Sequence, residues 1–186
     1  MVPVVLDPVR IKIAVVGGGN EALSRLRQLR AHGAEPHVVY APEASPSLAR
    51  EAGAALVPRL PSREEIAAVD VLFIGDLDEA LAARLAESAR AVKSRVNVQD
   101  ARGLSDFHVP AALRRGALLI TVSTDGASPG LARRLALHLG ETFGSEWAEH
   151  VSEISRAREG WRAEGMSMEA LSRATDRYID EKGWLA

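Results

Sequence analysis

A doubly wound, parallel α/β sheet followed by a small strand–helix unit and terminal helices is the fold class predicted by three observations. An apolar run over 11–16 leads straight into Gly17-Gly18-Gly19, short apolar strands then alternate with amphipathic helices as far as Asp100, and from Glu146 onward the chain is helical and polar. The 186 residues are 47% hydrophobic and 26% charged, the balance of a globular chain long enough to bury a core. With 23 Lys+Arg against 25 Asp+Glu the net charge is -2, which argues against a nucleic-acid partner and against an acidic disordered tail. The absence of cysteine excludes disulfides, thiolate metal sites and a cysteine nucleophile. No cationic start precedes an apolar run, and no stretch approaches the ~20 apolar residues of a membrane span, so a cytoplasmic protein without a membrane partner is expected.

The run 11–16 is β-branched and continuous, as in a strand buried on both faces. After it the period changes: Ala22, Leu23, Leu26 and Leu29 share one helix face, with Arg25, Arg27 and Arg30 mostly on the other, and Gly33 ends the helix. Residues 36–40 return as a second strand, completing a βαβ unit. A short strand over 54–57, a helix over 62–68 opened by a Ser62/Glu65 capping box, and a buried strand over 69–74 follow. Leu81, Leu85 and Ala89 recur at spacing four in a helix over 78–92, and 95–98 supplies another strand. Residues 106–115 read as a loop and short turn, 117–123 as a strand, and 128–142 as a helix capped by Ser128 with Pro129 in its first turn. Trp147, Val151, Ile154, Ala157 and Trp161 form an apolar stripe, expected as core or subunit contact, and Leu171, Ala174 and Tyr178 mark a final helix.

Gly17-x-Gly19-x-x-Ala22 satisfies the dinucleotide fingerprint with a strand before it and a helix after it. The first glycine permits the turn, the second lets a pyrophosphate approach the backbone, and Ala22 lets the helix pack closely; the other reading is a tight turn that binds nothing. The ribose-binding acid expected after the second strand is missing: Tyr40, Ala41 and Pro42 stand there, and Glu43 is the nearest substitute. Asp100 follows the strand 95–98, at the carboxyl edge of the sheet where ligands of open α/β folds collect. It reads either as a proton acceptor or as a solvated loop carboxylate. His108, a little further on, is held in reserve as a base or transient ligand; the five histidines offer no metal-binding spacing, and no resident metal is expected. Ser128 offers either an anion site or a plain helix cap, and Arg114, Arg115, Arg133 and Arg134 either recognise carboxylates or form a solvated basic face.

Several blocks in fixed order carry a family resemblance: Pro3-Val4-Val5-Leu6-Asp7, Val15-Val16-Gly17-Gly18-Gly19, Gly33-Ala34, Ala41-Pro42, Val96-Asn97-Val98-Gln99-Asp100, Asp106-Phe107-His108-Val109-Pro110, and the run from Ser123-Thr124-Asp125 through Ser128-Pro129-Gly130-Leu131-Ala132-Arg133. Over residues 3 to about 142 the chain resembles the precorrin-2 dehydrogenase and sirohydrochlorin ferrochelatase family of siroheme synthesis. The resemblance implies a Rossmann-like NAD-binding domain over 1–109, a dimerisation segment over 110–143 and a C-terminal helical region over 144–186. It implies NAD-dependent oxidation of precorrin-2 to sirohydrochlorin by a homodimer, with ferrous iron as a further substrate in members that also insert it.

By the same resemblance the key aspartate falls on Asp100, and the cofactor contacts fall on Gly17, Gly18, Gly19, Asn20, Glu21, Ala22, Ala41, Pro42 and Gly75. Ser128, Arg114 and Arg133 are the expected contacts to the substrate's carboxylates. The chain departs from the family where Glu21 replaces an apolar residue, where Arg25-Leu26 stands in place of an Arg-Lys pair, where the block after the fourth strand reads Ile74-Gly75-Asp76-Leu77-Asp78, and where Asp125 replaces a glycine. All four departures fall around the expected cleft. Two other readings stand beside the dehydrogenase: metal insertion without redox chemistry, and a nucleotide- or tetrapyrrole-binding protein without turnover.

Overall fold

A computed structural model describes residues 2–185. The chain divides into two compact units, one ending at Val109 and the other beginning at Pro110. The first holds strands β1 (Ile13–Val16), β2 (Val38–Tyr40), β3 (Leu56–Val57), β4 (Val71–Ile74) and β5 (Arg95–Val98), with helices α1 (Asn20–Ala31), α2 (Pro46–Ala52), α3 (Arg63–Ala67) and α4 (Glu79–Ala91). The second holds strands β6 (Ala111–Arg115) and β7 (Leu118–Val122) and helices α5 (Pro129–Thr142), α6 (Trp147–Ala163) and α7 (Met168–Lys182).

All five strands of the first unit are parallel, in the order β3-β2-β1-β4-β5. The chain leaves β1 in one direction and returns to its other side at β4, so the strand order reverses between these two strands, and their carboxyl ends open a crevice. Continuous apolar strands are needed because both faces are covered. Ala14, Val16, Leu72, Ile74, Val96 and Val98 pack with Ile66 of α3 and Leu85, Ala86 and Ala89 of α4. The alternate residues Ile13, Val15, Val71 and Phe73 pack with Leu23 and Leu26 of α1 and Leu48 of α2.

Local signals end the helices as the sequence predicts. Gly33 (φ 77°) follows α1, and the Ala34 amide donates back to the Leu29 carbonyl at 2.9 Å. The Ser62/Glu65 capping box closes both ways, and Arg59 joins it at 2.7 Å, so the Arg59 hydrogen bond and the Ser62 amide hold the Glu65 carboxyl at about 2. Helix α2 has no clear signal in the sequence. Its start, Ser45-Pro46, repeats the Ser-Pro grammar of α5, with the Ser45 hydroxyl accepting from the Leu48 amide, but only Leu48 and Ala52 mark its short buried face.

Beyond β5 the chain turns through 102–104 and runs back along the strand's outer edge. The Asp106 amide donates to the Val96 carbonyl, the Asp106 carboxylate accepts from the Val96 amide, and the Ser105 hydroxyl bridges the Val98 amide and carbonyl. Arg90 of α4 clamps this segment through the Asp106 carboxylate and the Leu104 carbonyl, both at 2.7 Å.

In the second unit the expected loop over 106–115 is corrected: its last five residues are β6, paired antiparallel with β7 from Ala111↔Val122 to Arg115↔Leu118. The Ala-Ala-Leu-Arg-Arg run lacks β-branched residues, which hid the strand, while the two-residue loop Gly116-Ala117 with Gly116 at φ 57° is a hairpin signal. Helix α5 packs on the hairpin through buried Ala132 and Ala136, and Arg115 caps its end by donating to the Phe143 and Gly140 carbonyls. Trp147, His150, Trp184, Tyr178 and Trp161 join α6 to α7 and its C-terminal extension as a chain of ring contacts 4.5–5.9 Å apart. The tryptophan stripe is thus half-buried, with Trp147 and Trp161 in ring contact with residues of the α6–α7 pair.

Candidate nucleotide and substrate site

Four strand ends of the first unit align at one edge of the sheet. The Gly17 amide donates to the Tyr40 carbonyl, the Gly75 amide to Val16, and the Gln99 amide to Ile74. The residues just past β1, β2, β4 and β5 therefore form a row: Gly17, Ala41, Gly75 and Gln99. Pro42 and Glu43 are exposed, and the Glu43 side chain remains the nearest acid after β2.

The glycine turn is tightly enclosed. Gly17 adopts φ 142°, and a Cβ there would lie 2.3 Å from the Gly75 carbonyl oxygen. One on Gly18 would lie 1.9 Å from the Glu43 carbonyl oxygen, and the Gly18 carbonyl accepts from the Ser45 amide at 2.7 Å. Gly75 in turn receives the first turn of α1, since its Cβ would meet that of Glu21 at 2.9 Å. Gly17 and Gly18 are required by a close approach of backbone, and Gly75 by the start of the Glu21 side chain.

Helix α1 begins at exposed Asn20 with no capping side chain of its own, because Gly19 precedes it. Its cap comes from Asp76. The Asp76 carboxylate accepts from the amides of Gly19 at 2.9 Å, Glu21 at 3.1 Å and Ala22 at 2.8 Å, and the Asp76 amide donates to the Glu21 carboxylate at 2.7 Å. Three amides at a helix start, converging on one anionic group, are the donor set that a dinucleotide pyrophosphate uses. The residues fit such a group by donor chemistry, with the carboxylate of Asp76 seated on those donors in this conformation.

Arg25, expected on the outer face of α1, instead turns toward the sheet. Its guanidinium lies 4.7 Å over the Phe73 ring and donates to Gln99 at 3.1 Å and to buried Asn97 at 3.4 Å, and burial lowers its pKa from the ordinary arginine value. Arg25 and Gln99 line a small cleft with Glu21 and Gly75. Arg25, Asn97 and Asp76 were missed as site residues. The clue for Asp76 was its place in the departure after β4, and the clue for Asn97 was a polar side chain within a buried strand.

Asp100 stands two residues past β5, exposed, at φ 54°, and accepts from Gln99 at 3.1 Å. Asp76, at φ 53°, stands two residues past the neighbouring β4, and the pairing Ile74↔Val98 makes the two positions equivalent on adjacent strands. His108 lies on the returning segment. With Ser105 beside Val98, Asp106 beside Val96 and the Asn97 amide donating to the Phe107 carbonyl, that segment heads toward the amino end of β5, away from Asp100. Ser128, Arg114 and Arg133 belong to the second unit. The Ser128 hydroxyl accepts from the Leu131 amide as the cap of α5, while Arg114 on β6 and Arg133 on α5 are exposed. Among the described residues no group of three His, Asp or Glu side chains is arranged to hold a metal, and no helix is long and apolar enough to cross a membrane.

A 3-2-1-4-5 parallel sheet with a glycine turn and converging helix-start amides at its switch point defines a dinucleotide-binding domain of the Rossmann class. The chain belongs to the NAD_binding_7 family, described as "Putative NAD(P)-binding", whose model matches residues 4–111. It is 36% identical over 181 residues to a siroheme synthase of Chromobacterium violaceum, covering 96% of this chain and 38% of that one. It is 33% identical to a siroheme synthase of Pseudomonas putida over 150 residues, 79% of this chain and 32% of the relative. The chain thus spans about a third of these relatives. Among solved structures, the precorrin-2 dehydrogenase SirC superposes with a TM-score of 0.74 at 25% identity, covering 100% of this chain and 93% of SirC. The resemblance read from the motifs and the α/β, Rossmann-like fold class both agree with these findings.

Proposed function

We propose that the protein is an NAD-dependent precorrin-2 dehydrogenase that forms sirohydrochlorin. The observation that carries this reading is that the likeness to SirC extends through the whole chain, hairpin and terminal helices included, and not only through the nucleotide-binding unit. The oxidation removes two hydrogens from the macrocycle, one as hydride and one as a proton. Bound NAD supplies the hydride acceptor. In this reading the amides of Gly19, Glu21 and Ala22 bind the pyrophosphate, Asp100 takes the proton, and Arg114 and Arg133 pair with substrate carboxylates. Anaerobic incubation with precorrin-2 and NAD is expected to yield sirohydrochlorin and reduced nicotinamide in equal amounts. No sirohydrochlorin with either NAD or NADP, from folded protein, would sink the proposal. The carboxylate on the α1 amides favours one second reading, in which sirohydrochlorin is bound or loaded with ferrous iron without a nucleotide; iron insertion undiminished by leaving out NAD, with no oxidation of precorrin-2, would select it.

We further propose a homodimer built on the second unit. Helix α5 buries Ala132 and Ala136 but leaves Leu131 51% and Leu135 41% exposed, an apolar stripe one turn apart that a second copy would cover. Light scattering is expected to give about twice the 19.9 kDa chain mass, and Leu131→Glu together with Leu135→Glu to give monomer. A wild-type monomer across micromolar concentrations would refute the interface.

A further inference from the structure

We infer that Asp76 sets the dinucleotide affinity of this chain: its carboxylate occupies the pyrophosphate position, so a dinucleotide binds only by displacing it. This rests on the dinucleotide-binding reading above. Three amides of the one stretch 19–22 converge on the carboxylate at 2.8–3.1 Å, and the exchange is reciprocal through the Asp76 amide and Glu21. A Cβ on Gly19 would stand 2.5 Å from the Asp76 Oδ1, so the side chain is seated where the second glycine of the fingerprint leaves the backbone bare. The positive end of the α1 dipole favours one anion there and cannot favour two. Glu21, in the first turn of α1, adds a second negative charge beside the same amides. Asp76 is itself exposed and lies in the loop after β4, in reach of solvent once released.

Asp76→Gly removes the carboxylate while tolerating φ 53°, and Asp76→Asn keeps the shape and the turn while removing the charge. Titration calorimetry of the full chain with NAD is the test. We expect the dissociation constant to fall about tenfold or more in Asp76→Gly, with Asp76→Asn between it and wild type. Without nucleotide, Asp76→Gly is expected to melt lower than wild type, because α1 loses its cap. Equal, measurable affinities of wild type and Asp76→Gly would overturn the displacement and leave the dinucleotide reading intact. Binding by Asp76→Gly alone would support the displacement while counting against wild-type dehydrogenase activity. No binding of NAD by any of the three up to about millimolar would overturn both. If Asp76→Gly fails to fold, Asp76→Asn decides alone: tighter binding supports the inference, and unchanged or weaker binding overturns it.

Discussion

Replacing Asp100 with alanine is expected to lower precorrin-2 turnover by about 100-fold or more while leaving NAD binding in place, since a positioned general base contributes about 10²–10⁴-fold. Three variants separate chemistry from conformation. Asp100 sits at φ 54°, where a side chain beyond glycine, asparagine or aspartate is strained by roughly 1–2 kcal/mol, so part of any loss in Asp100→Ala belongs to the turn. Asp100→Gly keeps the turn without the carboxylate, and Asp100→Asn keeps turn and shape without the ability to take a proton. If all three lose turnover alike, the carboxylate is the proton acceptor. An active asparagine variant beside inactive glycine and alanine variants would make Asp100 an orienting hydrogen-bond partner instead. Full turnover in all three would leave Asp100 with neither role. His108 is a poor understudy, because its segment leads away from the edge where Asp100 stands.

Gly17→Ala is expected to be strongly destabilising. Gly17 holds φ 142°, its new Cβ would press 2.3 Å from the backbone carbonyl oxygen of Gly75, and backbone cannot swing aside as a flexible side chain would. Steric overlap and dihedral strain together should cost roughly 2–5 kcal/mol, with loss of NAD binding as the β1 and β4 ends part. Gly53→Ala is the control. Gly53 has φ 54° and ψ -126° with nothing within 4 Å of its Cβ position, so backbone strain of about 1–3 kcal/mol without any steric overlap is expected. Urea unfolding of the two variants measures the difference, and equal stabilities would mean that the turn yields without cost.

The parallel sheet was legible because its strands are apolar on both faces and its helices carry strong period and punctuation: the glycine turn, Gly33, the Ser62 box and the Ser128 cap all act as read. What escaped notice was structure set by partners distant in the chain. Strand β6 has little strand character of its own and exists by pairing with β7. Helix α2 has too short a buried face to show a period. Arg25 reads as one more surface arginine until Phe73, Asn97 and Gln99 from two strands are brought beneath it. Asp76 lies more than fifty residues from the amides it caps. The departures from the family blocks marked the right segment, but its contact with α1 is a property of the folded sheet alone.

The segment that doubles back along β5 closes the sheet to growth. Every outward backbone amide and carbonyl of Val96 and Val98 is already engaged by Ser105 or Asp106. At the opposite border β3 is two residues long and runs into Pro58, which has no amide to offer. Neither border offers a long unpaired edge, so the first unit is protected from edge-wise polymerisation even in a crowded cell.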